Sequence, residues 1–99
     1  MITLCGSTKF KDEFLQALKD LTLAGNIVLS VGLFGHSGDI ITDGQKEMLD
    51  DIHKAKINMS DAIYVINKNG YIGESTKSEI QYAKKLNLEI YYMEDPNND

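Results

Sequence analysis

Short apolar runs alternate with helical stretches along the chain, and this alternation predicts an α/β fold. The apolar runs are Ile2 to Cys5, Ile27 to Val31, Ala62 to Ile66 and Leu88 to Tyr92. Between them, apolar residues recur at intervals of three and four, which is the period of a helix. Buried strands that alternate with helices are typical of a parallel sheet covered on both faces.

Right-handed crossovers leave few strand orders open to such a chain. The favoured one is a three-layer flavodoxin-like or Rossmann-like sheet of four strands in the order 2-1-3-4, with its crevice between strands 1 and 3. Residues 1–93 are predicted to form a single domain, and residues 94–99 a frayed polar tail.

Two later helices are expected to begin with capping boxes. Thr42 is followed three residues later by Gln45, which predicts such a box at the start of the second helix. Thr76 and Glu79 have the same spacing, so the pattern alone favours a capping role for Glu79 in the last helix, residues 75–86.

The second helix carries an apolar stripe of Met48, Ile52 and Ala55, which we expect to be buried. His53 lies one helical step from this stripe. Its ring is therefore either a proton donor or acceptor facing the crevice or a partly buried structural histidine.

Composition narrows the possible partners. The net charge is −5, and all ten basic residues are lysine. An acidic chain without a basic stripe predicts no nucleic-acid polymer and no membrane as a partner. A single cysteine, Cys5, excludes an internal disulfide, fits a reducing cytoplasm and is interpreted as an inert core residue.

Size and the histidines narrow the picture further. A domain of 99 residues has a small core, which favours a homodimer or a higher homo-oligomer. His36, His53 and Cys5 do not have the spacing of metal ligands, so neither a zinc site nor a cofactor is predicted.

The segment of residues 70–83 is the strongest candidate for a functional site. A buried strand meets a helix start there, and α/β proteins bind ligands at such junctions. Glu79 is alternatively a carboxylate aimed at the crevice, and the helix N-terminus would favour the ionised form that a nucleophile needs. Glu74 either supports Glu79 or is a solvated turn residue.

Two other segments are expected to border the crevice. Residues 6–9 form a strand–turn–helix junction that either binds an anion or simply starts a helix, with Ser7 or Thr8 as the N-cap. Residues 32–44 form a glycine-rich loop of the kind that often closes over ligands. Phe34 and Tyr71 either stack on a planar ring or pack as ordinary loop aromatics. The candidate binding residues are Gly6, Ser7, Lys9, Phe34, His36, Tyr71, Gly73, Glu74 and Ser75.

The order and spacing of these features resemble the nucleoside 2-deoxyribosyltransferase family, whose superfamily includes the 2′-deoxynucleoside 5′-phosphate N-hydrolases. The resemblance extends from the first strand to Tyr92 and is greatest with small family members. It rests on Cys5-Gly6-Ser7, Phe34-Gly35-His36-Ser37-Gly38-Asp39, Ser60-Asp61, Tyr71-Ile72-Gly73-Glu74-Ser75 and Glu79-Ile80-x-x-Ala83.

The resemblance implies a flavodoxin-like fold and attack by Glu79 on the anomeric carbon of a 2-deoxyribosyl unit. The covalent intermediate would pass to water or to another base, in parallel with retaining glycosidases. His53 stands where the family has an acid/base aspartate. The phosphate hydrolases use arginine around the phosphate, and this chain has none.

The function predicted from these features is cleavage or transfer of the N-glycosidic bond of a 2′-deoxynucleoside or deoxynucleotide. Glu79 and His53 would be the catalytic residues. The alternative is a module of the same fold that binds or senses a nucleoside or nucleotide without turnover, and a structural interaction domain is a third possibility.

Overall fold

A computed structural model of the protein describes residues 1–35 and 38–96. Its strands are β1 (Ile2–Gly6), β2 (Val28–Leu29), β3 (Ala62–Ile66) and β4 (Glu89–Tyr92). Its helices are α1 (Lys11–Leu23), α2 (Asp43–Asn58) and α3 (Glu74–Lys85), with a short 3-10 turn at Lys68–Gly70.

The strands form a four-stranded parallel sheet in the order β2-β1-β3-β4, which confirms the predicted α/β fold and strand order. β1 and β3 pair along their full length, from Ile2 opposite Ala62 to Gly6 opposite Ile66. The centre of the sheet is therefore the most regular part of the fold.

Each face of the sheet packs against its own set of helices. Successive strand residues point to opposite faces, so Leu4 and Cys5 enter different cores. The core on the α1 side contains Leu4, Phe14, Ala17 and Ile66. The core on the side of α2 and α3 contains Cys5, Ile57, Ile63, Val65, Ile80 and Ala83.

Gly6 ends β1 at a point where only glycine fits. Its φ is +152°, and a Cβ atom there would lie 2.8 Å from the carbonyl oxygen of Ile66 on the neighbouring strand. The chain can therefore turn away from the sheet at the carboxyl end of β1 without losing its pairing with β3.

The predicted N-cap of α1 is wrong. The helix begins after Phe10, which has no side-chain capping bond. The preceding residues form a turn in which the Phe10 N–H donates to the Ser7 carbonyl at 3.1 Å and the Lys9 N–H donates to Ser7 Oγ at 3.4 Å. Ser7 thus shapes the turn and does not cap the helix.

The capping box of α2 is confirmed, since the Gln45 N–H donates to Thr42 Oγ1 and the Thr42 N–H donates to Gln45 Oε1. The predicted buried face of this helix is wrong. Met48 and Ile52 are 53% and 42% exposed, whereas His53 is only 7% exposed. The face with fewer apolar residues is buried because it meets the sheet.

Two further features complete the description of the fold. Within residues 1–35 and 38–96, none of the helices has the length and apolar character needed to span a membrane. Beyond β4, the Glu94 N–H donates to Asn67 Oδ1 and Asn67 Nδ2 donates to the Glu94 carbonyl, both at 2.8 Å. The chain after β4 is thus pinned to the end of β3.

Candidate active site

A cavity of about 610 Å³ lies at the carboxyl ends of β1 and β3. This is the edge of a parallel sheet where α/β proteins bind ligands, and the volume is in the range of small-molecule sites. Its walls come from the turn after β1, the loop after β2, the N-terminal part of α3 and one side of α2.

Most of the predicted site residues border this cavity. Phe34 does not, because its ring packs edge-to-face on Phe14 with the ring centres 5.8 Å apart, in the core beneath α1. His36 lies outside the described residues. The predicted residues that do line the cavity are Gly6, Ser7, Lys9, His53, Tyr71, Gly73, Glu74, Ser75 and Glu79.

Glu79 does not act as a capping residue, so the capping box predicted for α3 is wrong. The helix begins one residue earlier than expected, at Glu74, and its N-cap is Gly73. Thr76 is therefore already inside the first turn, where it is 3% exposed. This shift leaves the Glu79 carboxylate available to the cavity.

Glu79 and His53 line the cavity, and Cys5 lies buried directly beside them. Cys5 Sγ lies 3.6 Å from His53 Nε2, and that nitrogen lies 3.9 Å from Glu79 Oε1. The thiol, the imidazole and the carboxylate all lie within 4.8 Å of one another. We refer to these three residues as the Cys-His-Glu cluster.

Helix and strand periodicity explain this convergence. Cys5 occupies the face of β1 that packs against α2 and α3. His53 lies one turn before the buried Ile57 on α2, and Glu79 lies one turn before the buried Ala83 on α3. Residues one turn apart share a helix face, so both side chains point inward towards β1.

Burial dominates the electrostatics of Glu79. It raises the pKa of this carboxyl to about 7, with Asp50 acting in the same direction and the Cys5 thiol, as hydrogen-bond donor, opposing it. The expectation that Glu79 is held in its ionised form by the helix N-terminus is therefore wrong, because the raised pKa disfavours that form. Loss of hydration outweighs the helix effect because the side chain is mostly enclosed.

His53 responds to the same environment in the opposite direction. Burial and the nearby Lys56 lower its pKa to about 4, against a smaller opposing effect of a backbone hydrogen bond with Leu4. The ring is therefore neutral at pH 7. Its 3.9 Å contact with Glu79 is within ion-pair distance, but it is not an ion pair in this protonation state.

Cys5 contributes a protonated thiol. Burial, followed by the charge of Glu79, raises the pKa of this thiol well above its usual range. Such a thiol is a poor nucleophile, in line with its interpretation as a core residue. Sequence reasoning did not foresee its contact with His53, although strand alternation placed it on the face that α2 covers.

Lys9 and Tyr71 form the rim of the cavity. Lys9 Nζ lies 3.5 Å from the centre of the Tyr71 ring, and Phe10 meets the same ring edge-to-face. The Glu74 side chain is 92% exposed and pairs with Lys77 at 3.3 Å. The rim therefore offers an aromatic surface with an adjacent ammonium group, while Glu74 faces solvent.

Several other residues of α2 and α3 also line the cavity. Asp50 faces the cluster closely enough to raise the pKa of Glu79, and Lys46 pairs with Asp50 at 3.1 Å. No motif marks these positions in the sequence. The only available signal was the face of α2 that carries His53. The additional lining residues on these helices are Asp43, Lys46, Leu49, Asp50, Ile52, Lys56 and Thr76.

Comparisons of the chain with protein-family models, with curated proteins and with solved structures find no match. The resemblance to deoxyribosyltransferases thus remains an expectation from sequence motifs. The geometry of the cavity is therefore the basis for a functional proposal, and that resemblance suggests the substrate class.

Proposed function

We propose that the protein cleaves or transfers the N-glycosidic bond of a 2′-deoxynucleoside or 2′-deoxynucleotide, with Glu79 as the nucleophile. Its main support is the position of Glu79, whose mostly enclosed carboxyl lies in the wall of a ligand-sized cavity beside a neutral imidazole. The substrate class comes from the motifs shared with deoxyribosyltransferases.

The Glu79 carboxyl meets two requirements of a nucleophile. Among the residues that the structure describes, no lysine forms an ion pair with it. Lys46 pairs with Asp50 and Lys56 donates to the Ser30 carbonyl at 2.6 Å. Lys9, the third cavity lysine, lies over the Tyr71 ring. A carboxylate that is not tied to a cation keeps its reactivity. It also stands on a helix and contacts groups from β1 and α2, which hold its position.

The reaction proceeds in two displacements. First, a Glu79 oxygen bonds to the anomeric carbon, and the carbon–nitrogen bond breaks with its electron pair going to the base, which takes a proton from cavity water. Second, water or an acceptor base loses a proton as it bonds to the anomeric carbon, and the ester bond breaks to restore the carboxylate. That proton neutralises the hydroxide that the first displacement left in the cavity.

His53 is proposed as the proton acceptor of the second displacement. Its ring is neutral at pH 7 and lies 3.9 Å from the Glu79 oxygen, so it is placed to take a proton from water that attacks beside Glu79. At the rim, Tyr71 offers a face for a base, and Lys9 can contact the sugar or its 5′ group.

The test is base release from a panel of deoxynucleosides and their monophosphates, followed by chromatography with and without an acceptor base. Glu79→Ala is expected to abolish release. Glu47→Gln is the matched control, because Glu47 is an exposed carboxylate of α2 outside the cavity lining. Turnover that survives in Glu79→Ala would exclude Glu79 as the nucleophile.

A nucleoside-binding or nucleotide-sensing module without turnover is the second candidate function. The low pKa of His53, about 4, favours it, because such a ring is a weak proton donor and acceptor. This alternative predicts no base release together with a rise in melting temperature on adding one member of the panel.

We also propose that the protein is a homodimer or a higher homo-oligomer in the cytoplasm. Met48 and Ile52 of α2 and its C-cap residue Met59 are exposed in one stripe, and Ile52 also lines the cavity. A second copy on this stripe would cover the cavity mouth. Light scattering after size-exclusion chromatography tests this, with Ile52→Glu expected to give the monomer.

A further inference from the structure

We propose that the Cys-His-Glu cluster binds one divalent transition-metal ion, and that Zn²⁺ is the ion it fits best. Sequence spacing pointed away from a metal because it paired Cys5 and His53 with His36. The fold supplies Glu79 as the third donor instead. Metal binding stands independently of the proposed function, and only its consequence for activity rests on that function.

Two of the three distances within the cluster can be compared with those of a zinc site, and the third, from Cys5 Sγ to a Glu79 carboxylate oxygen, is within 4.8 Å. Zinc bonds of about 2.3 Å to sulfur and 2.0 Å to nitrogen place two tetrahedral donors about 3.5 Å apart. Cys5 Sγ and His53 Nε2 are 3.6 Å apart. The 3.9 Å between His53 Nε2 and Glu79 Oε1 must shorten by about half an ångström to match a zinc-bound nitrogen and oxygen, which a small side-chain rotation of Glu79 supplies.

The chemistry of the donors selects the ion. A thiolate and an imidazole favour zinc and related borderline metals over Mg²⁺ and Ca²⁺, which prefer oxygen ligands. Binding displaces the thiol proton of Cys5 and uses the ionised carboxylate of Glu79. The two negative charges then balance the dication, so the buried site becomes neutral overall.

The donors also stand on a rigid frame. Cys5 belongs to the central strand, His53 and Glu79 to two different helices, and α2 and α3 pack against each other. The side chains of Cys5 and His53 are both largely enclosed, so packing restricts their rotation.

Only one side of the cluster is open. Cys5 is fully buried and His53 is 7% exposed, whereas Glu79 and His53 border the cavity. An ion therefore enters through the cavity and keeps a fourth position facing it. If Glu79 is the nucleophile, the bound ion occupies the attacking carboxylate and switches the glycosidic reaction off.

The binding test uses metal-free protein with Cys5 kept reduced, titrated with Zn²⁺ in competition with a chromophoric chelator. One equivalent per chain is expected to bind. Cys5→Ser is expected to weaken binding by at least about 100-fold. Asp43→Asn, which removes a carboxylate of the cavity outside the cluster, is the matched control and should bind as the wild type does.

Cobalt provides a second measurement that does not depend on a variant folding. Cys5 is the only cysteine of the chain, so a thiolate-to-cobalt charge-transfer band in Co²⁺-loaded wild type identifies Cys5 as the ligand. No stoichiometric Zn²⁺ binding, equal affinity in Cys5→Ser, or a cobalt complex without this band would each overturn the proposal.

The consequence for activity is tested separately. One equivalent of Zn²⁺ is expected to stop base release by the wild type, and a chelator should restore it. Metal binding without turnover on any substrate would refute the proposed function and leave the site intact. Turnover without metal binding would refute the metal site and leave the proposed function intact.

Discussion

The two faces of the sheet differ in what they bury. The buried cluster beneath α1 consists of Leu4, Phe14, Ala17 and Ile66, with Phe14 and Leu4 fully enclosed. The core beneath α2 and α3 also encloses Thr3, Cys5 and His53. Burial of polar groups has a free-energy cost unless they are paired, so the second face is the candidate for functional chemistry.

The polar groups of that second face divide into two kinds. At the amino end of β1, Thr3 Oγ1 lies 2.6 Å from Ser60 Oγ, and both oxygens lie within hydrogen-bond distance of the Lys56 carbonyl. One hydroxyl therefore donates to that carbonyl and the other donates to its neighbouring hydroxyl. These hydroxyls are fully partnered and serve the fold. At the carboxyl end, His53 and Glu79 have strongly shifted pKa values instead.

The shifted pKa values indicate that burying these two ionisable groups costs folding free energy. A buried carboxyl held near pKa 7 disfavours the folded state at neutral pH, whereas the Thr3 and Ser60 hydroxyls stabilise it. Functional sites are commonly strained in this way. Substitutions on the two faces should therefore separate activity from stability.

The largest expected effect is on activity. Glu79→Gln should lower kcat/KM for base release by about 10⁴-fold or more, because an amide cannot form the covalent intermediate. It should leave the melting temperature unchanged or higher at pH 8, since it removes a buried charge. A loss of activity accompanied by unfolding would contradict a purely chemical role.

A substitution in the core beneath α1 should lower stability and leave activity nearly unchanged. Phe14→Ala is expected to lower the free energy of unfolding by about 3–5 kcal/mol, because it leaves a cavity under α1. Urea unfolding measures the loss. The molecules that remain folded should keep kcat/KM within about threefold of the wild type, which corresponds to less than 1 kcal/mol. A larger drop would mean that the two faces are coupled.

The next effect concerns the pH dependence of stability. His53 has a pKa of about 4 when folded against 6.5 as the unfolded reference, so it contributes stability that is lost as the pH falls from 6.5 to 4. Glu79 has a pKa of about 7 against 4.5, so its burial lowers stability as the pH rises from 4.5 to 7. The two slopes nearly cancel in the wild type.

Removal of one partner should expose the slope of the other. As the pH rises from 4.5 to 7, the free energy of unfolding of Glu79→Gln should increase relative to the wild type by roughly 2–3 kcal/mol. As the pH rises from 4 to 6.5, that of His53→Gln should decrease relative to the wild type by a similar amount. Urea unfolding across this range in the presence of a chelator measures both. Parallel curves for the three proteins would contradict the assigned pKa values.

The smallest effect is expected at the rim. Lys9→Met keeps the length of the side chain but removes the ammonium group above Tyr71. Because the variant loses a weak cation–π contact and one ligand contact, its KM should rise by about three- to tenfold, with kcat unchanged. A fall in kcat would place Lys9 closer to the reacting atoms than the geometry indicates.

The fold could be predicted from the sequence because the patterns that determine it extend over whole strands and helices. Alternation of apolar runs with helical periods, combined with right-handed crossovers, was enough to predict the order β2-β1-β3-β4. The same reasoning located the cavity, since Gly6, Ser7 and Glu79 were expected at the carboxyl ends of the central strands, where they are found.

The helix starts and the buried face of α2 were harder to predict, because tertiary contacts compete with the local sequence pattern. Thr76 and Glu79 have the spacing of a capping box, but the helix starts at Glu74 and tertiary burial takes Glu79 elsewhere. The face of α2 was misassigned because Met48 and Ile52 are more apolar than His53. Packing against the sheet, and not hydropathy, determines which of two adjacent stripes is buried.

The sequence predicted His53 and Glu79 at one crevice, but it did not indicate that Cys5 would join them. The members of the Cys-His-Glu cluster are 48 and 26 positions apart, so no spacing motif exists. Only the register of β1 against two helices brings them within 4.8 Å. Cys5 in particular looked like a core residue because its neighbours in the strand are apolar.

The most direct test of the central claim is intact-mass analysis of the protein after brief incubation with a deoxynucleoside substrate. The account predicts a mass increase of one deoxyribosyl group, located by peptide mapping on Glu79 and absent from Glu79→Gln. Base release without this adduct, at a rate that Glu79→Gln leaves unchanged, would contradict it.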